Sequence, residues 1–294
     1  MNDDTIRLVL NAVICAIRDG SPVIYTVPNG TGEPALPAGP LEPARDRTLE
    51  AGLRRWIAEQ TDLRPGYVEQ LYTFGDSGRE GGEGRVVSVG YLGLARAEPG
   101  APRWCDVYDL FPWEDWRRGR PAILDEIGTG LEDWAAAEPK RTARVQLAFG
   151  SRRLEWNEER VLERYELLYE AGMVAEAALA GRPARGEGHG RPLAADHRRI
   201  LATALARLRA KMKYRPVVFE LLPATFTLRT LQDTAEAIHG RSVHKQNFRR
   251  MVETAQLVEP TGDTAQGGTG RPAKLYRFRT AVMRERPAPG LRVA

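Results

Sequence analysis

The sequence predicts two domains: a mixed α/β unit followed by a C-terminal winged helix-turn-helix. Three observations lead there. The first 180 residues alternate β-branched apolar runs with helical stripes. Residues 193–280 give the order helix, short helix, Gly turn, helix, hairpin. The charge divides along the same line. The 294-residue chain has a net charge of +4, but residues 1–192 hold 24 basic and 31 acidic side chains, a balance of −7. Residues 193–280 hold 16 basic and 7 acidic, a balance of +9, and residues 281–294 add +2. An acidic body joined to a basic module points to a polyanion as the partner of one part and to a different task for the other.

Composition removes several classes. A hydrophobic content of 42% argues against wholesale disorder. Cys15 and Cys105 are too few for a disulfide scaffold or a cysteine-rich zinc site. The early apolar run Leu8–Ile17 is interrupted by Asn11 and preceded by Asp3 and Asp4, which suits neither a secretory leader nor a membrane span. His189, His197 and His239 lack metal-ligand spacing, so no metal site is expected. The expectation is a cytoplasmic protein with no membrane partner.

The elements follow in order. Ile6–Ile17 and Pro22–Val27 read as two strands joined by an Asp19-Gly20 hairpin turn. Pro28–Pro43 is rich in Pro and Gly and reads as loop. Thr48 is the expected N-cap of a helix to Gln60, with Leu49, Leu53, Trp56 and Ile57 as its apolar stripe. Tyr67–Phe74 and Arg85–Leu94 read as strands around a Gly-rich turn, and Trp104–Leu110 as a further short strand. Pro121–Ala137 is an amphipathic helix, Arg144–Phe149 a short strand, and Glu158–Leu179 a long helix. Gly181–Pro192 holds four Gly and three Arg without periodicity and is the linker candidate. The expected boundaries are thus 1–180 for the body, 181–192 for the linker, 193–280 for the basic module and 281–294 for a basic tail.

In that module Ala194–Met212 is a helix with Ile200, Leu201, Ala204, Leu205 and Leu208 inward, followed by the short apolar run Val217–Leu222. Thr227 caps a helix through Ile238, Gly240 stops it, and Ser242 caps the next helix, to about Ala255. A hairpin, Leu257–Glu259 and Ala273–Arg279 around the loop Thr261–Arg271, completes the wing.

A helical wheel through Phe248, Met251, Val252 and Ala255 fixes the buried side of that last helix and turns Gln246, Arg249 and Arg250 outward, flanked by Asn247 and Lys245. Arg forks onto guanine, and Gln or Asn onto adenine, in a major groove. Lys245 suits a phosphate, and Arg271 and Lys274 flank the wing loop within reach of backbone or minor groove. A basic outward face alone is more often solvated surface; its setting inside the +9 module favours DNA. His244 falls on the core side and is expected to pack or cap.

The body carries a resemblance. Leu36–Pro40 (LPAGP) resembles the Leu-Pro-Gly-Gly turn that precedes the Nudix box, and Thr48–Leu63 resembles its helix. The family's Arg-Glu-hydrophobic-x-Glu-Glu-x-Gly-hydrophobic falls here on Arg55, Trp56, Ile57, Ala58, Glu59, Gln60, Thr61, Asp62 and Leu63, and its upstream Glu falls on Arg47. Mg²⁺ wants hard carboxylate and phosphate oxygens. Positions 56, 59 and 60 share a face but present Trp, Glu and Gln, leaving Glu59 as the one carboxylate among them.

Tyr67–Arg79 (YVEQLYTFGDSGR) resembles the segment after the box in ADP-ribose-type Nudix domains and in Nudix-related transcriptional regulators of NAD metabolism. Those regulators fuse a non-catalytic Nudix domain to a winged helix, and His244–Arg279 resembles their DNA-binding module; the combination is most similar to the alphaproteobacterial type. The resemblance covers residues 5–115 and 195–280. It implies a Nudix-like sandwich with a C-terminal winged helix, and a non-catalytic repressor of NAD-biosynthesis or salvage genes. It also implies a homodimer on double-stranded operator DNA, no required cofactor, and an effector that is NAD, ADP-ribose or ATP. Arg55, Glu59, Gln70, Tyr72 and Phe74 lie in or beside the segments that line the Nudix cleft. Tyr72 and Phe74 fit a core role equally, and Arg55 fits an i, i+4 pair with Glu59. The competing reading is an active Nudix pyrophosphohydrolase acting on ADP-ribose or a related nucleotide.

Overall fold

A computed structural model describes residues 6–30, 32–76, 85–97, 103–183, 185, 188–265 and 272–291. The body is built on a mixed sheet. Strand β1 (Ile6–Arg18) turns through Asp19-Gly20 into β2 (Ser21–Tyr25), as the turn residues dictate. The segment read as loop contains three short strands, β3 (Val27–Pro28), β4 (Pro34–Ala35) and β5 (Ala38–Pro40); β5 pairs with the first half of β1, opposite Val9–Asn11. Thr48 caps α1 (Leu49–Gln60), its side chain accepting from Ala51 N. Strands β6 (Tyr67–Phe74) and β7 (Arg85–Leu94) fall where the sequence places them, with β7 parallel to β1 and β6 antiparallel to β7. Strand β8 (Trp104–Asp106) closes the order β6-β7-β1-β2-β8.

Three expectations are corrected around the sheet and beyond it. The strand expected over Trp104–Leu110 stops at Asp106, whose carboxylate caps Tyr108 N and starts one helical turn, α2 (Val107–Leu110). After α3 (Ile123–Ala135), the strand expected at Arg144–Phe149 is the second half of a helix, α4 (Pro139–Phe149). Pro139 sits in its first turn, where a missing N–H costs nothing, and a short apolar run alone does not separate strand from helix. The long helix expected over Glu158–Leu179 is α5 (Val161–Glu170), a break at Gly172, and a 3₁₀ segment Ala175–Ala180. At the break Pro183 and Arg185 pass close to Gly172, Arg185 N donating to Gly172 O.

Among the described residues of 181–192, His189 N reaches Met173 O and Arg191 N reaches Asp109 O, bonding them to the body. Helix α6 (His197–Met212) then lies across the sheet face opposite α1. On the α1 side Leu10, Ala12, Ile14, Val89 and Tyr91 meet Leu53 and Ile57. On the α6 side Val13, Cys15, Leu92 and Leu94 share one core with Ile200, Leu201, Ala204, Leu205 and Leu208. That core runs on, past a 3₁₀ turn (Val217–Leu221), into β9 (Phe226–Thr227), α7 (Leu228–His239) and α8 (Lys245–Ala255) through Leu231, Ala235, Ile238, Phe248 and Val252. Strands β10 (Val258–Thr264) and β11 (Lys274–Phe278) form the wing with β9 at its edge, and α9 (Val282–Glu285) follows.

Candidate DNA interface and effector cleft

The helix-turn-helix starts as the sequence indicates. Thr227 caps α7, its side chain accepting from Thr230 N, and Gly240 ends it with φ +78°. A side chain at 240 is excluded twice: by that left-handed backbone and by Glu114 O, which would lie 2.5 Å from its Cβ. The following turn is clamped by α7 side chains. Gln232 Nε2 donates to Val243 O at 2.8 Å, and Val243 N donates to Glu236 Oε1 at 2.9 Å. Ser242 does not cap α8. Its hydroxyl donates to Arg117 O in the body at 2.7 Å, and the N-cap position falls to His244, which makes no capping bond. His244 is exposed rather than packed, because the helix starts two residues later than a Ser242 cap requires.

Helix α8 buries Phe248 and Val252 and exposes Lys245, Gln246, Asn247, Arg249 and Arg250. None of those five side chains forms a hydrogen bond or ion pair among the described residues. Two clefts flank it. One, of about 500 Å³, lies between Arg249, Arg229 at the start of α7, and Lys274 and Tyr276 of the wing. The other, of about 680 Å³, lies between Asn247, Arg250, Lys213 and Arg286. Lys274 is exposed at the base of the wing, as expected; Arg271 lies outside the described residues.

Much of the +9 balance does not face this surface. Arg198 forks onto Glu176, Arg199 pairs with Glu166 and Asp76, and Lys211 pairs with Glu69, all across the α6–body boundary. At the centre Glu114 is buried between Arg164 (2.6 and 2.8 Å) and Arg209 (2.6 Å). Burial alone would raise the Glu114 carboxyl, and the two guanidiniums hold it below the usual range. Arg209 also donates to Ile238 O, Tyr108 Oη to Ala237 O and Trp116 N to Gly240 O. The carbonyls that end α7 are therefore satisfied by α6 and the body. The sequence reading missed this hub. Its signals were a Glu inside the aromatic run Phe111–Trp116 and an Arg on the inward side of α6.

The five candidate effector residues fall into three places. Arg55 and Glu59 stay together on α1, as the i, i+4 spacing suggests, at 3.4 Å. Arg55 is held more tightly by Asp46, at 3.0 and 2.9 Å, and reaches Glu42 at 3.3 Å. The hydrogen bonds from Arg55 keep the Asp46 carboxyl below its ordinary value. Gln70 accepts from Tyr91 Oη at 3.3 Å, beside the α1 cluster. A register shift in β6 between Gln70 and Thr73 breaks the alternation. Within it Tyr72 is 62% exposed, while beyond it Phe74, 2% exposed, is core beneath the Arg199 guanidinium. Of the two roles open to Phe74, the structure puts it in the core.

Two box positions that the family fills with carboxylates grip the preceding turn instead. Trp56 Nε1 donates to Pro40 O at 2.8 Å, and its ring covers Gly39 so closely that a Cβ there would sit 2.0 Å from a ring carbon. Gln60 makes a two-way bond with Ala38, accepting from its N at 3.0 Å and donating to its O at 2.7 Å. No group of three or more His, Cys, Asp or Glu able to hold a metal ion occurs among the described residues, and none of the described helices is long and apolar enough to cross a membrane.

Fold and site together define a protein that joins a Nudix-like α/β domain to a winged helix. The relatives are more particular. Residues 218–278 match the NrtR DNA-binding winged helix domain. The chain is 42% identical over 86 residues to the ADPR responsive transcriptional repressor NtrR of Acinetobacter baylyi, a match spanning 29% of this chain and 34% of that protein. Its fold superposes on Shewanella oneidensis NrtR, solved with a 27mer DNA, at a TM-score of 0.55 and 25% identity, covering 94% of each chain. It also matches the fold of a MutT/nudix family protein from Enterococcus faecalis at a TM-score of 0.54, with 16% identity over 94% of this chain and 87% of that one. Residues 218–278 thus form an NrtR-type winged helix domain, and the fold of the chain is similar to that of NrtR.

Proposed function

We propose that this chain is a transcriptional repressor whose winged helix reads an operator on double-stranded DNA and whose Nudix-like body senses ADP-ribose without cleaving it. The carrying observation is α8: two Arg, one Lys, one Gln and one Asn exposed and without partners among the described residues, on a helix set in an NrtR-type DNA-binding domain. The DNA-bound Shewanella homologue supports the partner. The Acinetobacter relative, named for its response to ADP-ribose, puts that nucleotide ahead of NAD and ATP. Arg55, Glu59 and Gln70 are the proposed contacts, with the exposed Tyr72 ring free to stack on adenine. Lys245, Gln246, Asn247, Arg249, Arg250, Arg271 and Lys274 are the proposed DNA contacts.

The absence of hydrolysis is part of the proposal. Trp56 and Gln60 tie the box helix to the 38–40 turn where a metal site needs carboxylate oxygens. A cytoplasmic homodimer on a two-fold operator controlling NAD-biosynthesis or salvage genes completes the reading. The test uses the full chain, a duplex from its own promoter, and a mixed-sequence duplex of equal length. Sequence-selective binding that ADP-ribose alters more than NAD or ATP does is expected. Equal affinity for both duplexes overturns the repressor reading. AMP released from ADP-ribose with Mg²⁺, and lost in Glu59→Ala, overturns the non-catalytic one.

A further inference from the structure

We propose that the body itself touches DNA: the turn Trp116–Arg120 holds Arg118 against the phosphate backbone beside the N-terminal end of α8. This rests on the reading of α8 as the DNA-reading helix. The turn is bonded to the helix-turn-helix rather than merely near it. Trp116 N donates to Gly240 O at 2.7 Å, and Ser242 Oγ donates to Arg117 O at 2.7 Å. Ser242 lies three residues before Lys245, the first residue of α8.

The mount is rigid. Arg117 forks onto Asp115 at 2.7 and 2.8 Å, with its guanidinium 4.8 Å from the Tyr108 ring centroid. The Trp116 ring packs on Trp156 at 4.7 Å and lies beneath the Arg241 guanidinium at 5.0 Å.

The charges differ along the turn. Arg117 neutralises Asp115, and Arg120 pairs with Asp125 at 2.6 Å. Arg118 is exposed and forms no hydrogen bond or ion pair among the described residues. Arg118 follows directly on the Arg117 carbonyl that Ser242 bonds, and Ser242 lies three residues before the first exposed cation of α8, Lys245. Where a helix enters a groove, the groups flanking its start face the bordering phosphates, and those contacts fix register without reading sequence. A phosphate accepts either cation, so Lys at 118 should serve.

The test measures binding of the full chain to the two duplexes across a salt series. Arg118→Ala should weaken both by about three- to tenfold and flatten the slope of log affinity against log salt by about 1. Arg118→Lys should restore the slope. Arg54→Ala, which removes the same charge on α1, should leave it unchanged. An Arg118→Ala slope equal to that of the unmodified chain overturns this inference while leaving the reading of α8 intact. If the unmodified chain binds neither duplex, both fail. Melting temperatures within a degree or so of the unmodified chain, expected for an exposed side chain, separate contact from folding.

Discussion

Helices α1 and α8 are both short, both buried through one apolar stripe, and both carry arginines outward. On α1 every polar side chain from Glu50 to Gln60 is engaged. Arg54 holds Glu50, Arg55 is clasped by Asp46, Glu42 and Glu59, and Trp56 and Gln60 bind the 38–40 backbone. On α8 no such engagement exists for Lys245, Gln246, Asn247, Arg249 or Arg250 among the described residues. Five flexible polar chains left to water gain nothing for folding and remain available to a ligand. The same polar density on α1 is already paired within the fold, so Arg55 and Glu59 meet a nucleotide only by sharing or exchanging these partners. What separates reader from sensor is thus not the composition of the outward face but whether the fold has already satisfied it.

The largest way to break this comparison lies beneath α8. Glu114→Ala would strand Arg164 and Arg209 in the core, and removing one partner of a buried ion cluster costs about 3–5 kcal/mol. It would also loosen the groups that hold Ala237, Ile238 and Gly240. Thermal melting of the full chain should show a fall of many degrees, and DNA affinity should drop with it, although Glu114 lies inside. A DNA-binding defect without a stability defect would mean that the hub does not support α8.

His239 gives the next effect. Burial pushes its imidazole down to about 4, against the pull of Glu158, with Arg209, Lys213 and Arg241 reinforcing the shift. The folded state therefore holds this histidine neutral, while the unfolded chain protonates it near the ordinary 6.5. Stability from this group is full above pH 6.5 and declines as pH falls towards 4, by on the order of 3 kcal/mol. His239→Gln should flatten the pH dependence of melting in that window.

On α8 itself the expected loss is smaller and confined to binding. Arg249→Ala or Arg250→Ala should cost about 1–3 kcal/mol on the specific duplex and less than about 0.5 kcal/mol in stability. Anisotropy titration and melting check the two halves separately. Equal loss on mixed-sequence DNA would make these residues phosphate contacts.

What could be read without coordinates follows the same division. Period and capping placed α1, α7, β6 and β7 because each signal is local: Thr48 and Thr227 as caps, Gly240 as a stop, alternation in the strands. The outward face of α8 was legible because Phe248 and Val252 fix the wheel. Four things were not. The helix at Pro139–Phe149 carries an apolar run that a strand would carry too. The Glu114 hub joins residues 50 and 95 positions apart, beyond any local pattern. Phe74 leaves the cleft because of a bulge that no residue type announces. And His189 and Arg191, in a segment Gly-rich as a tether would be, are bonded to the body by backbone groups that every sequence possesses.

The smallest effect tests α1 most directly. Gln60 both donates to and accepts from Ala38, so Gln60→Glu keeps the acceptor for Ala38 N but loses the donor to Ala38 O. The new carboxylate would face that carbonyl oxygen at 2.7 Å, where the amide sat, for a cost of about 1 kcal/mol. Melting at neutral pH should register it, and DNA affinity should not. The defect carries its own sign in pH. A carboxyl that faces a carbonyl is easier to protonate in the folded state than in the unfolded chain, so its folded pKa is raised. The protonated form regains a donor for Ala38 O, and the variant should approach the parent chain as pH falls towards 4. That is the reverse of the trend set by His239, so a melting series of the variant against the parent isolates it. If Gln60→Glu lowers DNA affinity without touching stability, the α1 face is not a closed structural clamp and the contrast between the two helices fails.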